Sequence, residues 1–103
     1  MNAQTERLHV AGPAGAIEVA VDQPPGVDAP RGVAVLAHPH PLFGGTMDNK
    51  VVQTMARAFL QMGYRTVRFN FRGVGSTEGV HDEGRGESDD LLAVVAAQRV
   101  PGL

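Results

Sequence analysis

The chain has 103 residues, enough for one small domain, and its 43% hydrophobic and 19% charged residues are typical of a soluble globular protein. Its net charge of −2 gives no long-range attraction to nucleic acid or to a membrane, so neither is expected as a partner. The lack of cysteine excludes disulfides, thiolate metal ligands and cysteine nucleophiles, while a polar start and no apolar stretch of membrane-spanning length favour a cytoplasmic protein.

The first predicted elements are two β-strands, over residues 6–10 and 16–21. The tetrapeptide G-P-A-G at residues 12–15 joins them, which predicts an antiparallel hairpin. Three prolines then fall within residues 23–31, so this stretch is predicted to be a surface connection. Residues 32–37 are wholly apolar, which is typical of a central parallel strand covered by helices on both faces.

A helix is predicted next, with Asp48 or Thr46 as its N-cap and Gly63 at its end. Its apolar residues recur at helical period, and polar residues occupy the remaining positions. The apolar stripe comprises Val51, Val52, Met55, Ala56, Phe59 and Leu60, and the polar face comprises Lys50, Gln53, Arg57 and Gln61.

Residues 64–71 are predicted to form the next strand, followed by a glycine-rich loop over residues 72–87. The last predicted element is a helix over about residues 88–99, with Asp89 and Asp90 near its positive end. The strand–helix–strand unit is expected to be a right-handed parallel crossover. Since the last helix leads to no further strand, we expect at least one bare sheet edge.

If residues 33–36 form the bare edge, no charge or proline protects them from pairing with another strand. We therefore expect that the chain either continues in nature or meets a partner at this edge. Self-association through the edge is one such possibility.

The motif H-P-H-P at residues 38–41 comes directly after the apolar strand. Pro39 and Pro41 have no N–H, so the donors of this loop begin at His40 and resume at Leu42. A braced loop with a single early N–H is suited to stabilise an oxyanion, and two glycines at 44–45 would let a substrate approach the backbone. The alternative is that these residues only turn the chain from strand to helix.

Metal binding is a second interpretation of the same loop, because His38 and His40 could share a metal with Asp48, His81 or Asp82. The flanking prolines restrict both rings, and His-x-His is a common spacing. We therefore predict no metal site.

The segment N-F-R-G-V-G-S-T-E-G at residues 70–79 resembles a dinucleotide-binding loop only superficially. Such a loop must open a helix whose N-terminus faces the pyrophosphate, whereas here an acidic stretch without a helical stripe follows. A structural role is favoured, in which Arg72 pairs with Glu78 or Asp82. Ser76 lacks the flanking glycines of a nucleophile elbow, and G-x-S-x-G occurs nowhere in the sequence.

Three motifs in combination resemble a small bacterial branch of the α/β-hydrolase superfamily, over nearly all of residues 5–99. They are A-H-P-H-P with G-G-T-M-D-N-K in residues 37–50, R-F-N-F-R-G-V-G-S at 68–76, and D-E-G-R-G-E at 82–87 with Asp90. The resemblance implies an α/β fold that consists of an N-terminal β-hairpin and a β-α-β-α unit on a mostly parallel sheet.

The resemblance also implies a role for the loop after the apolar strand. In the family, a His-Gly-x-Pro-type loop supplies an oxyanion-hole amide. Here Pro39 stands in place of the glycine, and the backbone N–H of His40 holds the donor position. The residues expected to bind substrate around this amide are His38, Leu42, Gly44 and Gly45. The loop at 70–76 would shape the floor of the site without being catalytic.

A complete member of this superfamily would continue into a strand, a G-x-S-x-G elbow, an acid and a late histidine. All three triad residues would then lie beyond Leu103, so residues 1–103 are expected to be the N-terminal portion of one domain and inactive alone. The complete protein is predicted to hydrolyse a small acyl or ester substrate with a serine nucleophile, as an esterase does, and without a cofactor.

Two alternatives belong to other functional classes. The chain could be a non-catalytic interaction module that pairs its bare strand edge with a partner. A histidine-based metal hydrolase is a weaker alternative.

Overall fold

The computed structural model describes residues 5–26, 29–38, 46–80 and 85–98, with the backbone alone at Arg85. Within these residues the chain forms one mixed sheet of four strands and two α-helices. The strands are β1 (Glu6–Gly12), β2 (Gly15–Asp22), β3 (Val33–Leu36) and β4 (Arg65–Phe69), and the helices are α1 (Lys50–Gln61) and α2 (Arg85–Ala97). Neither helix combines the length and apolar character that a membrane span requires.

The predicted hairpin is confirmed, and it forms one side of the sheet. Strands β1 and β2 pair antiparallel up to Gly12 and Gly15, and β2 pairs antiparallel with β4 through Val19 and Phe69. Strands β3 and β4 pair parallel, as predicted for a strand–helix–strand unit. The strand order is therefore β1-β2-β4-β3.

The predicted central position of β3 is wrong for the part of the chain that the structure describes. Among the described residues, strand β3 pairs with β4 alone and forms the outer edge of the sheet. Its side chains are nonetheless covered on both faces, since Leu36 packs under α1 while Val33 and Val35 pack on the opposite core cluster. An apolar run in the sequence indicates that both faces of a strand are covered, but it does not indicate whether the strand has one neighbouring strand or two. Over the described ranges, β3 meets the expectation of an apolar sheet edge without a neighbouring strand.

The two helices cover opposite faces of the sheet. Cross-strand pairing places alternate residues of β2 and β4 on one face, where Val94 of α2 completes the larger core cluster. The sheet residues of that cluster are Ile17, Val19, Val21, Val67 and Phe69. On the other face, Leu36 packs against Val52 and Ala56 of α1. The sheet is therefore packed against one helix on each face.

Helix α1 buries a narrower stripe than the sequence predicts. Val52, Ala56 and Leu60 are buried, whereas Val51 is 64% exposed and Met55 39% exposed. The buried residues recur every four positions, so the helix contacts the sheet along a single ridge of side chains. Residues next to this ridge lie at the edge of the helix–sheet contact and remain partly exposed.

The N-cap of α1 is Asn49, and neither Asp48 nor Thr46 fills this role as predicted. The Oδ1 atom of Asn49 accepts a hydrogen bond from the N–H of Val51 at 2.9 Å. Thr46 instead accepts from the N–H of Asp48 at 3.2 Å and so closes the turn before the helix.

The turn between α1 and β4 forms a packed corner around Tyr64. Gly63 has a φ of +89°, as expected of a glycine that ends a helix. The ring of Tyr64 meets Phe59 edge-on at 5.7 Å, and the Arg31 guanidinium lies 6.0 Å from the centre of the tyrosine ring. The N–H of Arg31 donates to the carbonyl of Gly63 at 2.9 Å, which ties the strand connection to the helix end.

Candidate active site

The candidate site lies at the edge of the sheet where β3 and β4 end. Because these strands are parallel, the residues that follow them, His38 and Asn70–Phe71, are brought to the same edge. In open α/β sheets this carboxyl edge is where ligands bind.

His38 is buried and has a defined partner. Its Nε2 atom accepts a hydrogen bond from the backbone N–H of Phe71 at 3.0 Å, and its ring meets that of Phe71 edge-on at 4.9 Å. An Nε2 that accepts carries no proton, so the neutral ring carries its proton on Nδ1. The predicted substrate-binding residue His38 therefore joins β3 to the end of β4.

Met47 is held at both of its backbone polar groups. Its N–H donates to Asn70 Oδ1 at 2.8 Å, and its carbonyl accepts from Arg68 Nη1 at 3.0 Å. The methionine side chain is fully buried. The segment that precedes α1 is thus attached to the residues at the end of β4.

Arg68 is a fully buried cation with two acidic neighbours. Its Nη1 donates to Asp48 Oδ1 at 3.1 Å, and its Nη2 lies 3.7 Å from Asp22 Oδ2. The two carboxylates offset part of the desolvation of the guanidinium, whose Nε and Nη2 are buried without a hydrogen bond to any described residue. Arg68 was not predicted from the sequence as a site residue. Its spacing of two from Asn70 was the available signal that both side chains share a face.

The predicted partner of Arg72 is wrong in the case of Glu78. Arg72 forms a bidentate ion pair with Asp90, at 3.0 Å from Nε and 2.9 Å from Nη2, and its Nη2 also donates to the carbonyl of Gly86 at 2.8 Å. Glu78 instead accepts from the N–H of Ala16 at 2.7 Å. The other predicted partner, Asp82, lies outside the described residues.

Helix α2 begins at Arg85, three residues before the predicted start at about residue 88. Asp90 therefore lies past the first turn, where it is buried against Arg72, and it does not act on the helix dipole as predicted. The predicted loop at 72–87 therefore overlaps the helix, and the glycines weighed as a dinucleotide loop, Gly73, Gly75 and Gly79, lie before the helix and do not open it.

Ser76 has a histidine partner but an unfavourable electrostatic setting for a nucleophile. Its Oγ lies 2.9 Å from Nε2 of His9, while its own N–H donates to Glu18 Oε1 at 2.9 Å. A carboxylate at this position would repel the negative charge that develops on an attacked carbonyl oxygen. This setting agrees with the absence of an elbow sequence around Ser76.

Four predicted site residues, His40, Leu42, Gly44 and Gly45, lie outside the described residues, so their roles stay predictions. Of the residues weighed as metal ligands, His81 and Asp82 also lie outside. Across the ranges that the structure describes, no three His, Asp, Glu or Cys side chains come close enough together to hold a metal.

Comparison with known proteins supports the sequence resemblance. No family model matches the chain. An uncharacterised protein of Rickettsia prowazekii is 40% identical over 89 residues, which make up 86% of this chain and 37% of that protein. An α/β serine hydrolase without a lid from Xanthomonas campestris superposes with a TM-score of 0.85 and 46% identity, over 96% of this chain and 47% of its own.

A second solved structure, an α-β serine hydrolase homologue from Coxiella burnetii, has a TM-score of 0.81 and 47% identity, over 94% of this chain and 45% of its own. The chain adopts part of the α/β-hydrolase fold. This α/β-hydrolase-like chain spans less than half the length of the two solved hydrolases and about a third of the Rickettsia protein. The fold class and the resemblance predicted from sequence are confirmed.

Proposed function

We propose that this chain is the N-terminal portion of an α/β serine hydrolase domain, and that the complete protein hydrolyses a small acyl or ester substrate. The observation that carries the proposal is the hydrogen bond from Phe71 N–H to His38, which joins the ends of two parallel strands. It lies in a chain that is 46% identical to a serine hydrolase over 96% of its residues.

The proposed chemistry is acyl transfer to a serine beyond Leu103. The serine hydroxyl attacks the ester carbonyl while a histidine base takes its proton, and that proton then passes to the departing alcohol. The N–H of His40 donates to the oxyanion of the tetrahedral intermediate. Water hydrolyses the acyl-enzyme by the same steps. No cofactor is required.

The test combines the intact mass of the protein from its source cell with labelling by a serine-directed fluorophosphonate. We expect a mass of about twice 10.9 kDa, one added phosphonate on a serine beyond Leu103, and loss of ester turnover on labelling. Ser76→Ala and Ser88→Ala serve as controls and should leave labelling and turnover unchanged. Turnover that survives the phosphonate, or a source-cell mass of 10.9 kDa, would contradict the proposal.

A second candidate function is an interaction module, and the edge position of β3 favours it. Within the described residues, β3 presents one unpaired side with no charged residue or proline to prevent strand addition. A soluble dimer in light scattering of the 103-residue chain would support this function. Aggregation without a defined stoichiometry would support the proposal that further chain covers this edge.

A further inference from the structure

The two residues that flank the predicted oxyanion loop are attached to adjacent positions after β4. His38, on the amino side, accepts from the N–H of Phe71, and Met47, on the carboxyl side, donates to the side chain of Asn70. The distance between the two ends of the loop is therefore set by two consecutive residues of one chain segment.

The orientation of the Asn70 amide is fixed by which of its partners can donate and which can accept a hydrogen bond, as well as by the distances. Its Nδ2 donates to Glu18 Oε1 at 2.8 Å, and the ionised carboxylate can only accept. The amide oxygen must then face the N–H of Met47. The same Glu18 oxygen accepts from the N–H of Ser76, so the carboxylate itself is held by the glycine-rich loop.

We propose that Asn70, oriented by Glu18, is a positioning residue that fixes the carboxyl-side end of the oxyanion loop. This inference rests on the proposed function, because the proposed function is what assigns the loop a role in catalysis. Asn70 acts through Met47 and not on the substrate. Asn70 and Arg68 both bind the backbone of Met47. These two side chains, together with that backbone, are called the Met47 anchor.

The anchor has a specific weak point at the Met47 amide. Arg68 holds the carbonyl of Met47, and it has a second acceptor in Asp48. The buried N–H of Met47 depends on Asn70. Removing Asn70 therefore leaves a buried donor unpaired, which costs more than the loss of an exposed hydrogen bond.

The first test follows the protection of the Met47 amide from hydrogen exchange, in the protein as its cell makes it. Asn70→Ala should lower the protection factor of this amide by about tenfold or more. Glu78→Gln is the matched control. The Glu78 side chain, like that of Asn70, accepts from a backbone N–H, that of Ala16 in β2, and among the described residues no hydrogen bond joins it to Asn70, Arg68 or Met47. This variant should leave Met47 unchanged.

A second variant, Asn70→Asp, distinguishes orientation from packing. Aspartate has the shape of asparagine and keeps an acceptor for Met47, but it places a second carboxylate against Glu18. At neutral pH the two charges repel, and protection should fall. As the pH is lowered and one carboxyl of the pair takes up a proton, protection corrected for intrinsic exchange should return.

Several other charged or titratable groups surround this position and are common to wild type and variant. They are Arg7 and His9 from β1, Asp22 from β2, Arg68 from β4, and His38 and Asp48 from the segments on either side of the loop. Because wild type contains all of them, its protection profile over the same pH range is the reference. A side chain needed only to fill space would give no recovery specific to Asn70→Asp.

The second readout is turnover of a short-chain p-nitrophenyl ester by the same proteins. Asn70→Ala should lower kcat by about tenfold or more and change KM by less than about twofold, because a displaced oxyanion donor weakens the transition state more than the bound ester. Glu78→Gln should leave both constants unchanged.

The outcomes separate this inference from the proposed function. Unchanged protection of Met47 in Asn70→Ala would overturn the inference, and so would lost protection with an unchanged kcat. If wild type turns over no ester while Met47 protection still depends on Asn70, the proposed function fails and the anchor stands as a structural contact only.

Discussion

The Arg72–Asp90 ion pair is a residue-scale contact with a large expected effect on stability. Both side chains are nearly buried, with Arg72 12% exposed and Asp90 1% exposed. Asp90 also accepts a hydrogen bond from the backbone N–H of Arg72. Asp90→Ala should lower the free energy of unfolding by roughly 3 kcal/mol, because it removes the carboxylate that balances the charge of a largely buried guanidinium. Urea unfolding measures the change. Its neighbour Asp89 is exposed, so Asp89→Ala should stay within about 0.5 kcal/mol of wild type.

Replacement of Gly75 is a second change whose effect on the free energy of unfolding can be estimated. It has a φ of +56°, and a Cβ there would lie 2.5 Å from Glu18 Oε1 and 2.7 Å from Asn70 Nδ2. Gly26 has a similar φ of +70° with nothing within 4 Å of its Cβ position. Both Gly→Ala variants incur a backbone cost of about 1 kcal/mol, and Gly75→Ala should add at least about 1 kcal/mol more. Equal unfolding free energies for the two variants would contradict the close contact.

At the scale of elements, helix α1 allows a comparison of two adjacent valines. Val52 is 1% exposed and Val51 is 64% exposed, while both gain the same helix propensity on change to alanine. Val52→Ala should therefore be less stable than Val51→Ala by roughly 2 kcal/mol, the value of two buried methyl groups and the cavity they leave. Thermal or urea unfolding of the pair gives this difference directly. A difference below about 0.5 kcal/mol would mean that α1 does not pack on the sheet through this row.

The elements were predictable where local sequence decides them. The hairpin follows from a turn tetrapeptide between β-favouring runs, and Gly63 ends α1 because a left-handed residue is needed there. The N-cap was predicted one to three residues too early because Thr46, Asp48 and Asn49 are all good caps. Only the tertiary position of the helix selects Asn49.

At the scale of the whole molecule, Glu18 links stability to pH. The backbone hydrogen bond from Ser76 lowers the pKa of Glu18 from its ordinary value of 4.5, with a further contribution from Asn70, and partial burial opposes them. The unfolded state then binds more protons than the folded state over the interval between the two pKa values. The contribution of Glu18 is therefore complete above pH 4.5 and is lost as the pH falls through the folded value.

The measurement is the free energy of unfolding of wild type and Glu18→Gln, from neutral pH down to the lowest pH at which both remain folded. Glutamine can still accept from Ser76 and Asn70 but cannot titrate, so the variant should lose stability less steeply with acid. Parallel curves would show that Glu18 has the same pKa in both states.

The arrangement of the site could be predicted in part from the whole chain. The meeting of the strand ends follows from parallel pairing, which places His38 and the segment at 70–71 at one edge of the sheet. The partner of Arg72 could not be found this way, because six acidic residues follow it within residues 78–90 and only the tertiary fold brings Asp90 to it. The role of Glu18 was equally hidden, since nothing local marks one acidic residue of a hairpin as the group that orients Asn70.

The corner around Tyr64 decides what optical spectroscopy can observe in this chain. The chain has one tyrosine and no tryptophan, so its near-ultraviolet emission comes almost entirely from a ring held between Phe59 and Arg31. That ring lies at the α1–β4 turn, at the opposite ends of the strands from His38 and Asn70. Fluorescence would therefore follow the loss of one corner, and circular dichroism would follow the backbone as a whole. Coincident transitions by the two probes would show that the corner and the rest of the fold melt as one cooperative unit.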